Sequence, residues 1–335
     1  MKNMYKITFY LTMMTGTMIT ISSNSWIGMW MGLEINLLSI IPLMSSTKNK
    51  LESEAAMKYF IVQAMASTVF LMSIIIKLSS VENLLSSNMN SMILDSAILT
   101  KMGAAPFHFW FPEVMEGLSW INSTIMLTWQ KIGPMIIFMY STKSIMFTSM
   151  VIISSMAISG IMGINQTSMR KIMAYSSINH IGWMISAMLT NQTIWMMYLI
   201  IYTLMTININ FMFKNLNIFT VKQLINSLNQ NKTMKILFSM NFLSMGGIPP
   251  FIGFLPKWLT INSMIQMNMI LMSITMIIMT LTTLFFYMRI TFSAMMISMT
   301  EKKKIMVYSS KNKMMFMNTI VISSLAICTL MINFS

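Results

Sequence analysis

The chain has 335 residues, 56% of them hydrophobic and only 9% charged, with a mean hydropathy of +0.68. Soluble chains are about a quarter charged, so this composition excludes an ordinary soluble domain and reads as a polytopic membrane protein. The formal charge is +14, but the basic residues fall mostly between apolar spans, which argues against a nucleic-acid partner.

The single Cys328 excludes a disulfide framework, a four-cysteine zinc site and an iron–sulfur cluster. No Gly-x-Gly-x-x-Gly or Walker pattern occurs, so no nucleotide site is expected. Forty-eight methionines stand where Leu, Ile or Val would serve. They read as flexible apolar filler facing lipid and core, not as metal ligands.

Taken in order, the apolar segments predict about eleven membrane-spanning helices, at 4–22, 25–45, 52–78, 91–110, 119–140, 144–164, 170–189, 194–213, 234–263, 269–296 and 315–334. Lys2 and Lys6 precede the first apolar run as in a signal sequence. No small-residue cleavage site follows, so that run is read as a retained helix. The longest loops are expected at 79–90, 214–233 and 297–314, where Asn, Ser and Lys collect. The whole chain, 1–335, is expected to form a single transmembrane domain.

Charge gives the orientation. Of the 22 basic residues, 16 fall on the side of the N-terminus and only Lys77 and Lys143 on the other; Lys101, Lys131, Lys257 and Arg289 lie within spans. This asymmetry places the N-terminus on the cytoplasm-equivalent side and, with an odd number of spans, the C-terminus opposite. Arg289, near the basic end of its span, is expected to snorkel.

The intramembrane ionisable residues carry the functional reading. Glu34 lies about nine residues from the nearer end of the second span, roughly 14 Å at 1.5 Å per residue. A carboxylate at that depth must find a cation or become neutral, so it is a candidate proton-binding group. Lys101 and Lys131 lie near mid-depth in the fourth and fifth spans, and Lys257 in the ninth. Burial favours the neutral amine, so such lysines can exchange protons. Three of them in separate spans, with one carboxylate, read as a proton relay and not as a purely structural set.

Two spans are interrupted, the fourth by Gly103-Ala104-Ala105-Pro106 and the ninth by Gly246-Gly247-Ile248-Pro249-Pro250. They are five spans apart, and an odd offset reverses direction. That is the pattern of two inverted five-helix repeats, approximately 1–141 and 144–296, followed by a C-terminal helix at 315–334. Broken helices expose backbone groups that can hold water where they line a cavity. His108, beside the first break, is a secondary candidate for proton transfer. A structural role is favoured for His180, and the two histidines make no convincing metal site. Glu113 and Glu116 read as a short helix start, Glu52 and Glu54 as interfacial partners of Lys58, and Trp26, Trp30, Trp120 and Trp258 as interface anchors.

Four blocks, KMGAAPFHFWFPEVMEG (Lys101–Gly117), TWQKIGP (Thr128–Pro134), NQTSMRKIMAYSSINHIGWM (Asn165–Met184) and NFLSMGGIPPFIGFLPKW (Asn241–Trp258), closely resemble the chain 2 family of mitochondrial NADH:ubiquinone oxidoreductase, respiratory complex I. SNSWIGMWMGLEINLLS (Ser23–Ser39) extends the resemblance towards the N-terminus. The lysine and broken-helix pattern is similar to that of Mrp-type cation/proton antiporters as well.

The resemblance implies an all-α, antiporter-like membrane fold in the mitochondrial inner membrane, with the N-terminus in the matrix and the C-terminus in the intermembrane space. It implies that Glu34 and Lys101 form a carboxylate–lysine pair, Lys131 is the central relay lysine and Lys257 the terminal one. It implies partners among the other complex I subunits, especially neighbouring antiporter-like ones, and a lipid bilayer in which cardiolipin is a candidate ligand. NAD, FMN, iron–sulfur clusters and ubiquinone belong, on this reading, to the rest of the complex, with no cofactor in this chain. An organellar code that reads one isoleucine codon as methionine accounts for the methionine excess. The alternatives are a stand-alone cation/proton antiporter, which would work alone in a vesicle, and a structural membrane scaffold.

Overall fold

The computed structural model describes residues 2–46, 49–79, 84–141, 144–228, 232–249 and 251–296. The expected last span at 315–334, the loop at 297–314 and Pro250 lie outside the described residues. Among the described residues the protein is helical throughout, with no strand and a single isolated antiparallel bridge between Ser168 and Thr220. It divides into two compact units, Met1–Ser154 and Ser155–Ser335.

The first unit begins with α1 (Lys2–Ser22), α2 (Trp26–Met44) and α3 (Lys50–Ser79), which match the first three expected spans. Ser25 caps α2, its hydroxyl accepting the Gly28 N–H. Helix α4 (Leu84–Met102) stops at the first break and α5 (Trp110–Gly117) restarts the chain. The expected span at 119–140 is two helices, α6 (Trp120–Leu127) and α7 (Trp129–Ser141). Pro134 offers no N–H to the carbonyl one turn back at Gln130 and crowds it, which loosens the turns before it. Trp120, expected as an interface anchor, is instead buried in the protein.

Helix α8 (Ile145–Ile164) contains the boundary between the units. In the second unit α9 (Met169–Thr190) is buried along almost its whole length and packs against α10 (Gln192–Leu216), α13 (Phe254–Gln266) and α14 (Ile270–Met296). A helix covered on all sides has no polar face, and α9 shows no apolar periodicity. Helix α11 (Val221–Leu228) lies where a loop was expected. It buries Leu224, Ile225 and Leu228 on one face and is tied to the start of α9 by Met169 N–H to Phe219 C=O, 2.9 Å. The expected span at 234–263 is split into α12 (Lys232–Gly246) and α13 by the second break.

By length and hydropathy alone, five of the described helices can cross a membrane: α2, α3, α8, α10 and α14. The helices that carry the buried lysines are not among them: α7 and α13 have 13 residues each, and α4, with 19, is rich in Ser and Asn and carries Asp95 and Lys101.

Helices α1 and α2 cross closely. A methyl group at Gly32 would lie 2.7 Å from the Thr20 backbone nitrogen and 2.8 Å from the Gly16 carbonyl oxygen. Small residues let membrane helices approach backbone to backbone, and here both contacts are to backbone that cannot turn aside. Gly32→Ala is therefore expected to destabilise the unit by about 1–3 kcal/mol. The check is a lowered thermal transition of the assembled protein; an unchanged transition would contradict the crossing.

Candidate functional site

A helix that ends inside a membrane leaves its last four carbonyls without intrahelical donors. At the end of α4 three of these are supplied. Gly103, in the left-handed region at φ +75, donates to Leu99 and Thr100 C=O (3.0 and 3.2 Å), and Ala104 N–H also reaches Leu99 C=O (3.1 Å). This is the Schellman closure. Trp110 Nε1–H donates to Thr100 C=O (3.1 Å) and Gln63 Nε2–H to Lys101 C=O (3.3 Å).

The end of α12 is built the same way. Gly247, at φ +77, donates to Leu243 and Ser244 C=O (3.1 and 3.0 Å), and Ile248 N–H reaches Leu243 C=O (3.4 Å). Both breaks are Gly-x-x-Pro-Phe, and both connections to the next helix run seven residues, 103–109 and 247–253. The difference lies in the lysine. Lys101 belongs to the last turn of α4, whereas Lys257 belongs to the first turn of α13 and reaches back to donate from Nζ to Gly246 C=O at 2.8 Å. The order of lysine and break is reversed, yet each lysine serves the carboxyl end of the helix before its break. That end of the helix dipole favours a cation.

Glu34 comes to Lys101 from α2. Its Oε1 lies 3.8 Å from Lys101 Nζ, with the lysine side chain 3% exposed and the glutamate side chain 25%. At 3.8 Å this is an ion pair without a formed hydrogen bond. Beside it lies a cavity of about 20 Å³, room for about one water. Leu33, Asn36, Tyr59, Gln63, Lys101, Gln130 and Pro134 are among the residues lining it. Amides continue the polar line: Gln130 Nε2–H donates to Asn36 Oδ1 (2.9 Å), and Tyr59 O–H to Gln130 Oε1 (3.5 Å).

Lys131, the residue after Gln130, is 2% exposed, with its ammonium 5.7 Å from the centre of the Phe111 ring. In the second unit Lys257 is buried, with Trp183 beneath its ammonium at 5.9 Å. His108 is buried in the first break, its Nδ1 3.3 Å from the Pro106 carbonyl and its ring against Phe109. The structure thus brings Glu34 and Lys101 together and holds Lys131 on α7, which packs against α4. His108 is held by its own loop. At the surface Lys58 pairs with Glu54 (3.1 Å), as expected, and also with Glu113 (3.2 Å), while Glu52 accepts a hydrogen bond from Asn49.

Residues 23–285 match the family model described as NADH:quinone oxidoreductase/Mrp antiporter, transmembrane. The chain is 45% identical over 317 residues to NADH-ubiquinone oxidoreductase chain 2 of Anopheles gambiae, covering 94% of this chain and 93% of that one. The chain belongs to the NADH-ubiquinone oxidoreductase chain 2 family.

Another member of the family, from Bos taurus, is 39% identical over 324 residues, again covering 94% of this chain and 93% of that one. The fold is shared with a chain of respiratory complex I from Thermus thermophilus with bound aureothin, at TM-score 0.87 and 20% identity, over 97% of this chain and 78% of that one. It is shared also with a chain of the Mrp complex from Dietzia, at TM-score 0.68 and 17% identity, over 84% of this chain and 59% of that one. The fold is therefore the antiporter-like membrane fold of this family.

Two features of the site were not read from the sequence. One is the amide line Asn36–Gln130–Tyr59, whose members come from three helices and share no motif. The other is Asp95, fully buried on α4 and bonded by Ser141 of α7. An intramembrane carboxylate was the signal available for it; its position early in the span, after an Asn- and Ser-rich stretch, disguised it as an interfacial residue.

Gly247 shapes the second break in two ways. A methyl group there would lie 2.7 Å from Lys257 Nζ, and its backbone occupies the left-handed region. At Gly246 a methyl would meet only ordinary contacts, 3.6 Å from Tyr287 Cδ2. Gly247→Ala is expected to cost about 1–2 kcal/mol from the backbone alone and to push Lys257 off the Gly246 carbonyl. Gly246→Ala, measured beside it by thermal unfolding of the assembled protein, is expected to be the milder of the two.

Proposed function

We propose that the chain is a proton-translocating membrane subunit of respiratory complex I, the H+-translocating NADH:ubiquinone reductase, in the mitochondrial inner membrane. Its family membership supports this, and the observation that carries it is the ion pair between buried Lys101 and half-buried Glu34, 3.8 Å apart beside a cavity lined in part by amide side chains. It works among the other subunits of the complex, neighbouring antiporter-like ones included. NADH oxidation and ubiquinone reduction take place in those other subunits, which hold the NAD, FMN and iron–sulfur sites.

The fold that goes with this reading has about eleven spans and two inverted five-helix halves, 1–141 and 144–296. The matching Schellman closures at Gly103 and Gly247 support the inverted repeat. The N-terminus lies in the matrix and the C-terminus in the intermembrane space, which the distribution of basic residues supports.

The chemistry follows from the cost of charge in a low-dielectric interior. While Glu34 faces Lys101, carboxylate and ammonium compensate each other. When coupling to the redox subunits draws Glu34 away, the ammonium stands alone, and losing its proton removes the penalty. Lys131 receives the proton, and Lys257 holds the terminal position of the relay. His108 is a secondary member. Each lysine alternates between ammonium and neutral amine, and water in the cavities carries the proton between them.

Lys131→Met removes the exchangeable proton while keeping an apolar chain of similar length. The expected result is an assembled complex whose NADH-driven proton uptake into vesicles falls severalfold. Full pumping by an assembled Lys131→Met complex would overturn the relay and leave the scaffold reading standing.

A further inference from the structure

Asp95 has no part in the relay just described, and its surroundings are unlike those of the surface acids. It is 0% exposed, eleven residues into α4 and six residues before Lys101, roughly 9 Å along the helix. Ser141 Oγ–H donates to its Oδ1, and its Oδ2 is buried with no hydrogen-bond partner among the described residues. A purely structural tie between two helices would be served by Asn or Ser at lower cost, since an ionised carboxylate in a membrane interior needs a cation or a proton. An ionised Asp95 would have two acceptor oxygens facing one hydroxyl, and Ser141 Oγ also lies within reach of Phe138 C=O (3.1 Å); a proton on Oδ2 would meet no acceptor among the described residues. Both states leave Oδ2 for a mobile donor or acceptor.

The contact joins the two lysine-bearing helices of the first unit. Lys101 and Asp95 share α4, and Lys131 and Ser141 share α7. Ser141 is the last residue of α7, so the pair lies between the lysines and the face of the protein that ends α7. Among the described residues, the basic group that bears on Asp95 is Lys77, in the last turn of α3, whose ammonium lies 4.1 Å over the Trp26 ring. Two further buried polar atoms at this end have no partner among the described residues: Asn90 Nδ2, five residues earlier on α4, and Ser144 Oγ, three residues beyond Ser141.

Resting on the relay reading, we propose that Asp95 is the proton-exchange station between the buried lysines of the first unit and the membrane face beside Lys77. A lysine ammonium gives up one proton, which reaches Oδ2 through water and leaves a neutral amine and a neutral carboxylic acid. Asp95 then releases that proton to the aqueous face and returns to carboxylate. No oxidant, reductant or other co-reactant takes part.

The test uses the assembled complex in sealed vesicles, with Asp95→Asn, Asp95→Glu, Ser141→Ala and Lys131→Met compared. Asn retains an oxygen to accept from Ser141, so a structural role survives Asp95→Asn and a proton-carrying role does not. The expected result is a severalfold loss of proton movement per NADH oxidised in Asp95→Asn, substantial recovery in Asp95→Glu, and near-normal coupling in Ser141→Ala. Infrared difference spectra between oxidised and turning-over complex are expected to contain a carboxylic-acid C=O band that Asp95→Asn removes. Normal coupling in Asp95→Asn beside a blocked Lys131→Met overturns the station and leaves the relay intact. Normal coupling in both overturns the relay itself. Should Asp95→Asn fail to assemble, loss of coupling in an assembled Ser141→Ala marks the pair as structural and overturns the proposal.

Discussion

The structure depends on supplying donors to carbonyl groups where helices stop in an apolar surround. At α4 and α12 a left-handed glycine folds the chain back so that two successive N–H groups close the helix end. Side chains add donors to these ends: Gln63 to Lys101 C=O and Trp110 to Thr100 C=O at the first, and Lys257 to Gly246 C=O at the second. The same carbonyl ends give a cation its most favourable place in the fold. At the second end the lysine itself donates to the backbone; at the first it stands in the last turn and pairs with Glu34.

Around the first of these ends the polar groups are graded. Glu34 and Lys101 form the ion pair; Asn36, Gln130 and Tyr59 line the adjoining cavity as neutral donors and acceptors. Neutral hydrogen-bonding groups steady a water without fixing a charge beside it. The apolar residues around them, Leu33 and Pro134 on the cavity wall and Phe111 beneath Lys131, keep the dielectric low, so a small displacement of one charge is felt strongly by its neighbour.

Much of this was legible in the sequence, and the exceptions have physical reasons. Glu34, Lys101, Lys131 and Lys257 were visible because a charge in an apolar run has no cheap explanation, and the breaks because Gly and Pro interrupt helices for known steric causes. The division at Thr128 was hidden because the residues on either side look helical and no Gly or Pro stands at it. Helix α11 was hidden because an eight-residue amphipathic turn bounded by Asn and Lys has the composition of a loop. Reading Trp120 as an interface anchor failed because a tryptophan at a helix start suits an interface or an interior equally, and tertiary packing decides. The cavity partners Gln63 and Gln130 meet only through the fold, and no spacing along the chain announces them.

The tight crossing at Gly16 and Gly32 limits how Glu34 can move. Backbone touches backbone there, and Glu34 is only two residues away on the same helix. Helix α2 cannot tilt away from α1 without losing that contact, nor press closer. Parting the carboxylate from Lys101 is thus left to rotation about the glutamate's own χ angles, for which its 25% exposure leaves room. Side-chain rotations of exposed groups take picoseconds to nanoseconds, whereas collective helix movements take microseconds to milliseconds. On the relay proposed above, charge separation at this pair needs the torsion of a single side chain and no collective movement of α2.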